Sequence, residues 1–413
     1  MKVWHPFTQE KIAPLPIKIA RGQGQYLYDE NGKSYLDLIA SWWVNLHGHA
    51  NPEIAEAIYE QAKTLEQVIF AGFTHQPAET LAANLSQYLP ATLTKFFYSD
   101  NGSTAVEIAL KMSYQYFKNL GVSGRNLYLN LSGAYHGDTL GAMGASGGTS
   151  KYHSGFSDFF FETFSVDCPV SELAEKEALL KLNRFLSEFG SRACALIVEP
   201  LIQGAGGMRI YHGDFLRQVV SEVRKHDILV IFDEVMTGFY RTGTMFAMEQ
   251  VGVVPDLLCL SKGITGGFLP LAATIVSDKI YDVFYSDSWE RAFIHGHSYT
   301  ANPLGCAAAI KSLEILNRQT TLNQVKIIED VHRQFLFELP KVCNPRVLGT
   351  IAAFDLPNAG IARELSEFLL KMGVFIRPLG STIYTMPPYV VLPQELSSFY
   401  EKVISWCKNR VDF

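Results

Sequence analysis

The sequence lacks three features that would direct its reading elsewhere. Its six cysteines, at 168, 194, 259, 306, 343 and 407, form no C-x-x-C pair. Neither a disulfide framework nor a zinc site is therefore expected, and the thiols read as reduced, in a cytoplasmic protein. No apolar run is long enough to span a bilayer, and the opening MKVWHPFTQEK has no apolar core. This predicts neither a transmembrane helix nor a secretory leader. Charge is also scarce: charged residues make up 18% of the chain and the net charge is -6. That balance points to no nucleic-acid or anionic-membrane partner. Combined with a hydrophobic fraction of 48%, it points to extensive internal or subunit-interface burial. There is no internal repeat and no P-loop. Gly141, Gly144 and Gly147 recur every third residue without making a G-x-G-x-x-G after a strand, so a dinucleotide site is not expected.

What is present reads as an α/β enzyme. The 413 residues exceed what one ordinary domain needs, so a large domain with a smaller one is expected. Short apolar runs at 96–99, 127–131, 195–198, 229–232 and 257–260 alternate with helical segments. Such alternation predicts a mainly parallel sheet flanked by helices. Residues 24–38 read as a hairpin around Asp29-Glu30-Asn31-Gly32, and Asn51-Pro52-Glu53 reads as a helix start. One long helix is expected over 305–340. Strands at 349–355 and 373–377 and helices at 360–372 and 393–409 suggest a small α+β domain. The division is then 1–50 (a segment associated with the small domain), 51–305 (the large domain) and 306–413 (the small domain).

Two strand ends carry the chemistry. The run LVIFDEV ends an apolar strand in Asp233, and DLLCLSKGITGG runs a second into Lys262. Strand ends of this kind face the crevice where α/β folds bind ligands. Each alone is compatible with a helix cap or a surface lysine. Together they suit pyridoxal phosphate, whose aldehyde needs a lysine amine and whose ring nitrogen needs a carboxylate. Burial would lower the lysine's pKa and make it a usable nucleophile. In FFYSDNGSTAVEIALKM a strand gives way to a helix opening at Gly102-Ser103, where backbone N–H groups could bind phosphate. Either Tyr135 or His136 could lie flat against a cofactor ring. His-Gly-His occurs at 47–49 and again at 295–297. Without thiolates or carboxylates at familiar spacing, both read as loop residues near a site, and no metal is expected. Arg377 follows a strand and suits a substrate carboxylate.

These motifs, in this order, resemble the class III aminotransferases of the fold-type I pyridoxal-phosphate transferases. The resemblance covers nearly the whole chain. It is nearest to the branch that aminates 8-amino-7-oxononanoate in biotin biosynthesis, on WHPFTQ (4–9), SWWVNLHGH (41–49), GAYHGDTLGAM, EPLIQGAGGM (199–208), HGHSYTANPLGC (295–306) and IRPLGSTIYTMPPY (376–389).

The resemblance implies a role for each matching position. Lys262 would bind the cofactor aldehyde and move the reacting proton. Asp233 would pair with the ring nitrogen, Tyr135 would stack on the ring, and Gly102 with Ser103 would bind the phosphate. Ser298, where the family usually has threonine, would reach the phosphate from the neighbouring subunit of a homodimer. Trp42 and Phe7 would line the substrate channel, Gly296 would contact the substrate, and Arg377 would hold the acceptor's carboxylate. Phe7 replaces the family's usual tyrosine, keeping the ring without its hydroxyl. The expected donor is S-adenosylmethionine or lysine. The alternatives are an ornithine, acetylornithine or γ-aminobutyrate aminotransferase, a non-catalytic ligand-binding protein on the same fold, and a nicotinamide oxidoreductase.

Overall fold

The computed structural model describes residues 2–148, 153–169, 171–339 and 342–410. A seven-stranded sheet runs through its centre, in the order Leu93–Ser99, Ala272–Ser277, Leu257–Leu260, Leu229–Asp233, Ala193–Val198, Leu127–Leu131, Thr163–Val166. Ala272–Ser277 is antiparallel to both of its neighbours, and every other adjacent pair is parallel.

The sequence explains why this sheet is central. Ala193–Val198 (ACALIV), Leu229–Asp233 (LVIFD) and Leu257–Leu260 (LLCL) are buried at every position, the pattern of strands covered on both faces. Alternate side chains feed two cores. Ile197, Ile231 and Cys259 pack on one face with Ala105, Ile108 and Ala109 of the helix Gly102–Asn119. Leu196, Val230 and Phe232 pack on the other with Leu182 of the helix Glu172–Phe189 and Val219 of the helix Gly213–Arg224.

The chain's two ends come together beside this core. Ile19–Gln23, Tyr26–Asp29 and Ser34–Asp37 form an antiparallel meander, and Val374–Phe375 adds to it in parallel. Cys343–Leu348, Ile351–Asp355 and Thr382–Thr385 form a further antiparallel sheet. The helix after Asn51 is capped as its sequence implies, with the Asn51 side chain accepting from the N–H groups of Glu53 and Ile54.

Three expectations are corrected. The single helix over 305–340 is two, Pro303–Leu316 and Gln319–Leu336. They part at Arg318, whose extended backbone ends the helical run. The strand expected from 349 begins at Ile351, because Gly349 takes a left-handed turn (φ 55°) between two strands. The hairpin at 24–38 is only part of the four-stranded sheet. Among the described residues, no helix is long and apolar enough to cross a membrane.

Candidate active site

The parallel strands end together, and their carboxyl ends open into a cavity of about 920 Å³. Asp233 pairs with Cys259 in register, three residues before Lys262. Phe232 pairs with Val198, which places Glu199 beside Asp233. Adjacent strands thus present two carboxylates and an amine to one cavity, lined also by Phe7, Trp42, Gly102, Ser103, Tyr135 and Arg377.

Asp233 is buried. Its Oδ2 lies 2.8 Å from His136 Nδ1, and its Oδ1 accepts from the Val235 N–H at 3.1 Å. The buried His136 imidazole thus holds the Asp233 carboxylate. Glu199 is also buried. It accepts from the N–H groups of Tyr135 (3.1 Å) and Gly204 (2.9 Å), and burial pushes its pKa up to about 7. Sequence reasoning assigns Glu199 no role, although ACALIVE carries the same signal as LVIFD: an apolar strand running into an acid. Glu234, next to Asp233, serves the scaffold. It accepts from the N–H groups of Ala247 and Met248, and so caps the short helix Ala247–Val251.

Lys262 sits at the strand end in a left-handed conformation (φ 44°). That cost, about 1–3 kcal/mol for a non-glycine residue, aims the side chain into the cavity. Its Nζ lies 4.7 Å from the centre of the Trp43 ring. Burial lowers its pKa, while the nearby charges of Asp233, Glu199 and Asp138 oppose that shift. The amine is thus easier to deprotonate than a surface lysine.

Tyr135 stands on the cavity wall, clamped from behind. Its hydroxyl donates to Asp138 Oδ2 at 2.8 Å, and its ring stacks on His153 at 5.3 Å. His153 Nε2 in turn lies 3.1 Å from Asp138 Oδ1, and the bond from His153 holds the Asp138 carboxyl below its usual pKa. Neither residue was singled out from the sequence. Opposite, the helix Gly102–Asn119 points its start at the cavity, with Asn101 and Thr104 forming a reciprocal cap. Ser103 Oγ accepts from the Asp138 N–H. No side chain fits at Gly102, where a Cβ would lie 2.6 Å from Val235 Cγ1.

Another part of the cavity wall is aromatic and cationic. The Phe7 and Trp42 rings are 5.4 Å apart, and the Arg377 guanidinium lies 4.9 Å from the Trp42 ring centre. Gly296 and Ser298 are not brought into this cavity. Both are exposed, and the Ser298 carbonyl accepts from Gln67 Nε2.

These residues fit pyridoxal phosphate. An amine with lowered pKa and a buried carboxylate face one space. A helix start with a glycine supplies N–H groups for phosphate. His136 Nε2, buried behind Asp233, has no hydrogen-bond partner among the described residues.

Comparison with known proteins gives the same reading. Residues 7–406 match the family described as aminotransferase class-III. The chain is 46% identical to the adenosylmethionine-8-amino-7-oxononanoate aminotransferase of Synechococcus elongatus, covering 97% of each chain. It is 38% identical to that of Geobacter sulfurreducens, covering 95% of this chain and 93% of the other. Among solved structures, that of the like-named enzyme from Methanocaldococcus jannaschii superposes with a TM-score of 0.92 at 34% identity, covering 99% and 97%. A PLP-bound amine transaminase from an uncultivated Pseudomonas species gives 0.90 at 30%, covering 98% and 99%. With its Asp233 and Lys262 at neighbouring strand ends, the chain belongs to the class III aminotransferases, on the fold-type I architecture of pyridoxal-phosphate enzymes.

Proposed function

We propose that this enzyme transfers an amino group to 8-amino-7-oxononanoate, giving the 7,8-diamine in biotin biosynthesis, with S-adenosylmethionine or lysine as donor. The observation that carries the reading is one cavity lined by a lysine–carboxylate pair and by an arginine beside aromatic rings. An apolar chain ending in a carboxylate fits that shape. Two relatives and a structural neighbour of the same name support it.

When bound, pyridoxal phosphate supplies an electron sink for the carbon that loses its proton. The chain's own residues do the rest. Lys262 Nζ would hold the cofactor between turnovers. Once an incoming amine has freed it, it would act as the base that removes a proton from the donor's carbon in one half-reaction and as the acid that protonates the acceptor's carbon in the other. Burial favours its neutral, proton-accepting form. Asp233, fixed by His136, would pair with the ring nitrogen. Tyr135, clamped by Asp138 and His153, would stack on the ring, and Gly102 with Ser103 would hold the phosphate. Arg377 binds the acceptor's carboxylate, with Trp42 and Phe7 walling the channel.

Gly296 and Ser298 complete the site from a second copy of the chain. Their exposure and their place outside their own cavity support a homodimer, as do the exposed Ile294 and Tyr299 beside them. The pairing of Val374–Phe375 with Ser34–Asp37 supports grouping residues 1–50 with a small domain 306–413, apart from a large domain 51–305. Six free cysteines, five of them buried, suit the reducing cytoplasm.

Half-reaction spectroscopy tests the assignment. Purified yellow enzyme should bleach with one of the two donors, and 8-amino-7-oxononanoate should restore the colour. Restoration by 2-oxoglutarate alone would refute the assignment. Mixing Ser298→Ala with Lys262→Ala subunits tests the dimer: activity should depend on which sites combine both intact residues.

A further inference from the structure

Residues 40–43 have a backbone that their sequence does not explain. Ala40, Ser41, Trp42 and Trp43 all have positive φ (47°, 58°, 108° and 74°), and none is glycine. One such residue costs about 1–3 kcal/mol, so four in a row persist only if something outside the run holds them. The run carries Trp42, which faces Arg377, and Trp43, which lies against Lys262.

The holder is a buried carboxylate. Asp37 is fully buried and accepts four hydrogen bonds. Its Oδ1 takes the Ile39 N–H (3.1 Å), and its Oδ2 takes the Ser41 N–H (2.7 Å), the Ser41 hydroxyl (3.1 Å) and His49 Nε2 (3.0 Å). Behind it, His49 Nδ1 lies 3.2 Å from Asn45 Nδ2, and the His49 backbone exchanges both hydrogen bonds with Gly24 of the N-terminal meander. Gly22 leaves space for the imidazole, since a Cβ there would lie 2.6 Å from His49 Cβ. Trp43 is anchored separately: its Nε1 donates to the Tyr384 hydroxyl (3.0 Å), and its carbonyl accepts from buried Arg241. Asp37 grips only the side of the run that leads into Trp42.

We propose that Asp37 and His49 are positioning residues for acceptor recognition: they hold Trp42 against Arg377 and so set the carboxylate-binding end of the cavity. The second histidine of the 47–49 motif thus has a task that is neither metal binding nor catalysis. The recognition half of this inference rests on the proposed acceptor, whereas the backbone half does not.

The test uses the holoenzyme with Asp37→Asn, which keeps the volume but removes the all-acceptor group. Amide hydrogen exchange at residues 39–42 should speed at least tenfold, with the central sheet unchanged. Unchanged exchange there would overturn the proposal whatever the substrate is. The KM for 8-amino-7-oxononanoate should rise about tenfold, and this rise should vanish in a Trp42→Ala background, where Asp37 has nothing to position. Additive effects in the double variant would overturn it. If Asp37→Asn does not fold, Ser41→Ala and His49→Gln each remove or weaken one bond to the carboxylate. Both should show the same faster exchange and the same coupling to Trp42 at smaller amplitude, and no coupling in either would overturn the proposal. A wild-type enzyme inert toward 8-amino-7-oxononanoate would instead remove the acceptor assignment, leaving the exchange result to decide the role of Asp37.

Discussion

The cavity's two ends are built in opposite ways. The cofactor end hangs on adjacent parallel strands: Asp233, Glu199 and Lys262 stand at or just past the ends of segments buried at every residue. The substrate end is assembled from distant segments: Phe7 and Trp42 near the N-terminus, and Arg377 near the other end of the chain. Left-handed backbone occurs once at the first end, at Lys262, and as a run of four residues, 40–43, at the second. Groups that must meet at a fixed angle in every turnover sit on the stiffest part of the fold. Groups proposed to choose the substrate sit on loops, where residues can change without disturbing the sheet.

That contrast can be broken most severely at Lys262. Lys262→Ala removes the only lysine among the described residues that line the cavity. Turnover should fall by at least about 10²–10⁴-fold, the order of magnitude that a positioned acid–base group supplies, with no yellow colour in purified protein. Next comes Asp233→Asn, which keeps the shape but removes the charge. The kcat should fall by about 10²–10³-fold, on the scale of losing one preorganised electrostatic contact. Steady-state rates against donor and acceptor measure it, and both halves of the reaction should suffer.

At the other end the signature should differ. Arg377→Ala removes a charged hydrogen-bond partner of about 1.5–3 kcal/mol. The acceptor's KM should rise about 10- to 100-fold, while kcat at saturation changes little. An equal loss in kcat would mean that the two ends are not separate in function.

The smallest effect concerns the scaffold under the cofactor end. Burial raises the folded pKa of Glu234 from 4.5 to about 7. The folded state therefore holds this proton where the unfolded state has lost it, and stability contributed by Glu234 falls as pH rises from about 4.5 to about 7. Glu234→Gln cannot titrate. Its unfolding free energy across that window should slope less steeply than wild type, by up to about 1.4 kcal/mol per pH unit for one proton. Chemical denaturation at several pH values measures this, and equal slopes would show that Glu234 is ionised throughout.

The same contrast governs what could be read from the sequence. Asp233 and Lys262 were legible because each ends an apolar strand, and strand ends obey general rules of placement. Glu199 carries that signal too, but EPLIQGAGGM by itself marks only a stretch of similarity and no role for its acid. His136 was noticed as an aromatic candidate. Its real partner, Asp233, lies far off in sequence, and no local pattern states that pairing. The left-handed run at 40–43 was invisible, because without glycine nothing local announces positive φ and the cause lies in Asp37 and His49. Arg318, where the expected long helix divides, likewise lacks the proline or glycine that would mark a break.

The lone antiparallel strand has a consequence for synthesis. Leu93–Ser99 joins the sheet only through Ala272–Ser277, so this early strand has no sheet neighbour until the latter has left the ribosome. The helix start at Gly102 therefore cannot face Lys262 while the chain is still growing toward that point. Such long-range closure is slow, and the vitamin-derived cofactor has no complete berth in a partly made protein. Truncations ending before Ala272 should accordingly stay colourless and be prone to aggregation.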